Sequence, residues 1–397
     1  MRVLVVQYAG DYLAAHEMAQ SSDAETYYGH RYVLEQLSSI NNLYGETAIL
    51  CCSSPRIYDA KLPSGLRLIG AGLNRNPKSD GAIRIMAEFD PTHLIVLGPL
   101  TRFIKWGLKT NRALLCVCAD SFDINPLRRL IRYGRIASVL NDTRVSLVAN
   151  HGIPSCLSLA RIGVDRRKII PWDWPHTRQP RDLEPKQSVG ELPLTLFFAG
   201  LVTKRKGVGE LIRAVAELRR RGIQASAKIA GAGEIERYRK LAHSLRVGDD
   251  IHFLGLVSNH QVLDQMRQAA IVVVPSQHEY PEGLPLTIYE AFCARTPIVA
   301  SDHPMFVSRL SHRKNAMIFR AGHFKELADR VEELLDDNEL YSSISNEAQT
   351  AWEALQLPVK WGGLLHRWLS DTEEDRLWLR SHLLDSPLYQ LRSTEKE

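Results

Sequence analysis

A chain of 397 residues, 45% hydrophobic and 24% charged, is longer than one core fills and points to about two domains. Fifty basic against forty-five acidic side chains leave +5, too even a balance for a dedicated nucleic-acid binder. No apolar run approaches the roughly 20 residues that span a bilayer. The stretch "MRVLVVQYAG" breaks into polar residues and glycine too soon for a signal peptide, and reads as a buried strand.

In chain order, "RVLVV", "TAILCC", "LRLIGAG", "HLIVLGP", "ALLCVCA", "VSLVAN" and "KIIPW" are strand-like, with helical patterns such as "GHRYVLEQLSSI" between several of them. Continuous apolar strands alternating with amphipathic helices predict parallel sheets covered on both faces. Cys51, Cys52, Cys116, Cys118, Cys156 and Cys293 fit neither a disulfide framework nor the usual zinc spacing, and read as small buried hydrophobes in a reducing cytoplasm. Residues 173–193, rich in Pro and charge and without periodicity, read as a connection.

The alternation then repeats through "LTLFFAG", "SAKIAG", "IHFLGLV", "IVVVPS" and "PIVAS", with an amphipathic helix over 207–221 that stops at Gly222. Beyond Phe324 the chain is helical into a tryptophan-rich tail. These patterns divide the chain into a Rossmann-like domain (1–175), a linker (176–193), a second such domain (194–350) and helices (351–397) expected to pack back on the first. Ligands of doubly wound sheets bind beyond the C-terminal strand ends.

The strand "IVVVPS" delivers "SQHEYPEGLPLTIYEA" to that side. Pro285 suits the first position of a helix, whose N-terminus offers amide donors and a positive dipole end to phosphate. Gly283 allows close backbone approach. Glu282 stands ahead of that anion site, and Glu290, eight positions later, leans toward it from the second turn. Carboxylates accept well from sugar hydroxyls. Spacing alone favours the plainer reading, a loop glutamate and an exposed helix glutamate.

The stretch "PSQHEYPEGLPLTIYEAFCARTPIVAS" resembles the donor-site signature of glycosyltransferase family 4, retaining enzymes of the GT-B fold. "FFAGLVTKRKGVGELIRAVAEL", "AKIAGAGE" and "IHFLGLVS" resemble that family's preceding segments, so the resemblance covers about residues 190–330 well and the N-terminal half loosely. It implies two Rossmann-like domains facing across a cleft. A nucleotide-diphosphate sugar would bind the C-terminal domain, and a carbohydrate or lipid-linked hydroxyl acceptor the N-terminal one. It implies no separate cofactor and no bound metal, because cations and a helix dipole can neutralise the leaving diphosphate. By the same resemblance Lys206 binds the diphosphate, Glu282 faces the transferred sugar, Gly283 and Leu284 offer amides, and Glu290 holds the ribose.

Two departures stand out. Gly200–Leu201 replaces the family's Gly–Arg, leaving Lys204 or Arg205 to supply the missing cation. "CVCADSFD" keeps Asp120 but lacks the family's histidine, and Asp120 either orients a hydroxyl or caps a helix. The glycine-rich first loop is represented by Gly10 or by Gly29 before a helix. His151 reads as a bystander, and His303 as a cleft residue or a turn residue. Arg128, Arg132 and Arg135, with Arg102, Lys105, Lys109 and Arg112, allow either peripheral contact with an anionic membrane at its cytoplasmic face or a solvated helix surface. The rival function is a non-catalytic relative that binds a nucleotide or a partner protein.

Overall fold

The computed structural model describes every residue except 9, 22–28, 74–79, 123–132, 191–192, 281, 283–284 and 391–397. The chain divides into two units, Met1–Pro175 with Leu357–Glu397, and His176–Gln356.

The first unit is built on eight strands: β1 (Val3–Gln7), β2 (Thr47–Cys51), β3 (Ile57–Lys61), β4 (Arg67–Ala71), β5 (His93–Leu97), β6 (Ala113–Cys118), β7 (Val145–His151) and β8 (Ile169–Trp172). Their order is β3-β4-β2-β1-β5-β6-β7-β8, parallel throughout except for the β3/β4 pair. The apolar runs are apolar because both faces of these strands are covered: all five residues of β2 and all four of β8 are buried. The strand β3 carries no such signal in "IYDAK", since it is an edge strand with alternating exposure.

All six cysteines are free and buried. The expected tail joins this unit by a short parallel pairing, in which Asp173 N donates to Val359 O and Trp361 N to Asp173 O. Tryptophans fasten it further. Trp361 lies 6.2 Å from Trp174 in a stacked pair, and the Trp368 indole donates to Ser146 Oγ at 2.7 Å. At Gly362, in the first turn of the Trp361–Ser370 helix, a Cβ would fall 2.2 Å from the Gln36 side chain of the His30–Tyr44 helix, so a larger residue there would displace that side chain.

The second unit has six parallel strands: β9 (Leu194–Ala199), β10 (Ala225–Ala230), β11 (Ile251–Gly255), β12 (Ile271–Val274), β13 (Ile298–Ser301) and β14 (Met317–Phe319), in the order β11-β10-β9-β12-β13-β14. Strand order reverses direction between β9 and β12, which makes their C-terminal ends the switch point of the sheet. The Val208–Arg220 helix ends where Gly222 takes φ 83°, with Glu217 held by Arg220 and Arg221.

Of the segment 176–193, expected as a linker, the stretch around His176 and Pro180 is packed onto this unit. His176 stacks on Tyr289 at 4.6 Å, and the Arg295 guanidinium donates to Pro180 O at 2.8 Å. The unit continues to Gln356 rather than ending at residue 350. The Asn338–Leu355 helix buries Ala351, Trp352 and Leu355 in the unit's core, and so cannot be divided there. Among the described residues no helix is long and apolar enough to cross a membrane.

Candidate functional site

The loops that leave β9 and β12 touch backbone to backbone. Gly207 has φ 74°, and a Cβ there would lie 2.0 Å from Pro275 O, so only glycine fits between the loops. Gln277 N donates to Arg205 O at 2.8 Å and fixes their register. That contact brings Lys206 Nζ onto Glu282 Oε1, with the side chains 14% and 7% exposed. Ser276 Oγ donates to the same carboxylate oxygen at 2.7 Å, and the Lys206 ammonium stands 4.5 Å from the centroid of the Tyr280 ring. Ser276 and Tyr280 are site residues that sequence reasoning missed.

His303, after β13, secures the same loop from below. Its Nδ1 accepts from Met305 N at 3.2 Å, so the proton sits on Nε2, which donates to Tyr280 O at 3.0 Å. Burial pushes the imidazole pKa down and keeps the ring neutral. Of the two roles open to it in the sequence, His303 takes the structural one, capping a short helical turn.

The helix that should face a diphosphate runs Leu286–Cys293. Pro285 precedes it as the N-cap instead of opening it, because its ψ of 138° is extended. Glu290 lies in the second turn as expected. The residue is half-buried, its carboxylate has no hydrogen-bond partner among the described residues, and burial pushes that carboxyl up to about 7. Gly283 and Leu284 lie outside the described residues. Thr287 Oγ1 reaches Ala199 O at 3.4 Å and ties the helix start to the end of β9.

The two candidate replacements for a cation at Leu201 point to different surroundings. Lys204 lines a separate cavity with Arg213 and Tyr238. Arg205 is exposed and makes no ion pair among the described residues. Leu201 itself is 51% exposed.

In the first unit, Asp120 follows β6. Its backbone is held by Asn150, whose Oδ1 accepts from Asp120 N at 3.2 Å and whose Nδ2 donates to Asp120 O at 2.9 Å. Burial pushes the Asp120 carboxyl pKa up, and the helix it was expected to cap falls outside the described residues. His151 is buried against Asp173, itself fully enclosed, with Nε2 and Oδ1 3.2 Å apart; Lys360 reaches the other carboxylate oxygen at 3.2 Å. Gly10, with φ 115°, follows β1, and Gly29 precedes the His30–Tyr44 helix.

Of the basic face, Arg128 and Arg132 lie outside the described residues, while Arg135 is exposed. The Thr101–Lys109 helix buries Phe103, Ile104 and Leu108 and leaves Lys105 and Lys109 in solvent, with Arg102 paired to Asp80. Among the described residues no group of three His, Cys, Asp or Glu side chains could hold a metal ion.

This architecture of two parallel-sheet units with a helical C-terminal region is the GT-B fold. HepE of Anabaena, solved with UDP and glucose, matches 89% of this chain and 95% of its own at a TM-score of 0.63 and 14% identity. Sucrose-phosphate synthase of Thermosynechococcus elongatus matches 95% of this chain and 98% of its own at 0.65 and 15% identity.

Residues 181–351 match the family model of glycosyl transferases group 1, and they hold Lys206, Glu282 and Glu290. The GDP-mannose-dependent alpha-(1-6)-phosphatidylinositol monomannoside mannosyltransferase of Mycobacterium tuberculosis is 28% identical over 209 residues, 51% of this chain and 53% of that protein. Alpha-D-kanosaminyltransferase of Streptomyces kanamyceticus is 29% identical over 168 residues, 42% of each chain. The chain spans about half the length, or less, of these curated relatives.

Proposed function

We propose that the protein is a retaining, metal-independent hexosyltransferase that moves a sugar from a nucleotide-diphosphate donor to a hydroxyl acceptor in glycan, polysaccharide or glycolipid synthesis. The observation that carries the reading is the Lys206–Glu282 pair at the switch point of the second sheet, inside the segment that matches glycosyl transferases group 1. The acceptor is a carbohydrate or a lipid-linked glycan; the Mycobacterium relative, named for a phosphatidylinositol monomannoside, supports the lipid-linked option.

In this reading the nucleotide diphosphate lies along the second sheet's strand ends. Glu290 accepts from the ribose, which returns its buried carboxyl to the charged form. The diphosphate meets the Lys206 ammonium and the start of the Leu286–Cys293 helix, with Arg205 supplying the cation that Leu201 lacks. Glu282 then turns from the lysine to the sugar, where its charge opposes the positive charge that develops at the anomeric carbon. The acceptor oxygen attacks from the face the diphosphate leaves, its proton passes to a departing phosphate oxygen, and configuration is retained. Lys206 gains most when the leaving group carries full charge, which is how a binding contact lowers a barrier. Asp120 orients a sugar or acceptor hydroxyl.

A thermal-shift screen against nucleotide sugars, run with and without EDTA, tests this. One nucleotide sugar should raise the melting temperature by mass action, equally in both conditions. A flat panel sinks the donor-site assignment, and a shift abolished by EDTA and restored by a divalent metal sinks the metal-independent part.

A further inference from the structure

The second unit also carries a cavity of about 510 Å3 between the Val208–Arg220 and Ile235–Ser244 helices. Its wall holds Lys204, Arg213, Arg237 and Lys240 against one carboxylate, Glu210. Arg237 is answered by Glu234 at 2.7 Å and Arg213 only loosely by Glu210 at 3.8 Å, while Lys204 and Lys240 have no ion pair among the described residues. A surface that placed its charges for solubility alone would intersperse both signs.

The second observation is Tyr238. The residue is only 3% exposed and lines this cavity, yet its hydroxyl has no hydrogen-bond partner among the described residues. Burial raises the phenol pKa, so the hydroxyl remains a donor. The hydroxyl is thus free to donate into the cavity, and beside two lysines without an ion pair it describes a receptor for an anion. Arg213 folds back over the first turn of its helix, where a Cβ on Gly209 would lie 2.9 Å from a guanidinium nitrogen. That places the cation at the positive end of the helix dipole, a position a bound anion offsets. Although Lys204 is two residues from Lys206, the two serve different places, since Lys206 is engaged with Glu282.

We propose that this cavity is a second anion site, distinct from the strand-end site, for a phosphate-bearing ligand. With Arg213 and Arg237 already facing Glu210 and Glu234, a single carboxylate would still leave one of the two lysines unanswered, whereas a phosphate brings about −1.5 to −2 and three acceptor oxygens.

Calorimetric titration with inorganic pyrophosphate tests the site on the wild-type chain, on Lys206→Ala and on the double variant Arg213→Gln/Lys240→Gln. Lys206→Ala should keep one pyrophosphate site, and the double variant should bind at that site at least about tenfold more weakly. Tyr238→Phe, which keeps the ring packing, should weaken it several-fold with the melting temperature unchanged. Sedimentation with phosphatidylglycerol vesicles separates sources. Co-sedimentation lost in the double variant identifies a lipid headgroup, and pyrophosphate binding without sedimentation identifies a free anion. If Lys206→Ala takes up no pyrophosphate, or if the double substitution leaves uptake unchanged, the second site does not exist. Because the double variant leaves Lys206 in place, failure here is distinguishable from failure of the donor-site reading.

Discussion

The two units treat charge at their strand ends differently. In the second, loops from both sides of the β9/β12 switch point press an ammonium and a carboxylate together, each still partly open to solvent at 14% and 7%. In the first, β1 and β5 flank the corresponding reversal, and among the described residues no ion pair links the loops that follow them. Its buried charge lies after β8, where Asp173 is fully enclosed between His151 and Lys360. A carboxylate wholly enclosed, with a fixed partner on each oxygen, is out of a ligand's reach. The pair at the switch point can exchange one partner for a phosphate or a sugar hydroxyl. In the proposed reading Lys206 and Glu282 serve the chemistry, while Asp173 serves stability.

The strongest way to break that assignment is Glu282→Gln. It keeps the shape and the hydrogen bond from Ser276, but loses the charge that opposes the developing positive charge. Turnover with the identified donor should fall on the order of 10²–10³-fold, with affinity for the bare nucleotide diphosphate preserved. Loss of nucleotide affinity without loss of turnover would place Glu282 elsewhere.

Glu290→Gln sharpens the contrast, because it should act with opposite signs on stability and binding. The Glu290 carboxyl titrates at about 7 when folded, against an ordinary 4.5. Below pH 4.5 both states hold the proton. Between 4.5 and 7 only the folded state does, so stability falls as pH rises and levels off above 7. At ~1.36 kcal/mol per pH unit, removing the charge should stabilise the ligand-free chain at pH 8 by up to about 3 kcal/mol, and hardly at all at pH 4. Urea midpoints at the two pH values measure this, while calorimetry should show nucleotide diphosphate affinity falling. Equal urea midpoint shifts at both pH values would remove the buried carboxyl from the account.

Lys206→Ala should cost about 1.5–3 kcal/mol in nucleotide-diphosphate affinity, read by calorimetry, and slow transfer as well. Unchanged affinity and turnover would make the pair a structural contact like the one in the first unit. Asp173→Asn has the smallest expected effect, a loss of roughly 1–3 kcal/mol in urea stability as Lys360 loses its charged acceptor. Nucleotide affinity should be untouched, and a change there would overturn the structural role given to Asp173.

Much of this molecule was written locally. Strands buried on both faces are continuous apolar runs, so β1, β2, β9 and β12 were legible, as was the Glu-x7-Glu spacing that follows β12. Local pattern failed where burial did not shape the residues. The edge strand β3 alternates in the open, and β14 spans only Met317–Phe319, too short for a period to show. Pro285 was expected inside a helix that it in fact precedes, since its fixed φ suits both positions and only ψ separates them. The limits of the second unit were also tertiary, set by what His176, Arg295 and Trp352 pack against.

By itself the sequence determined two doubly wound units and the residue types of the candidate site. Tertiary structure decided which of those residues meet. Lys206 and Glu282 are 76 positions apart, and they touch because β9 and β12 are neighbours and Gly207 lets their loops close on each other. Asp173 and Lys360 are 187 apart, and they pair because the chain returns to the first unit at Leu357. Periodicity records whether a residue is buried, a property of its own surroundings. Partnership depends on strand order and chain return, which no local window contains.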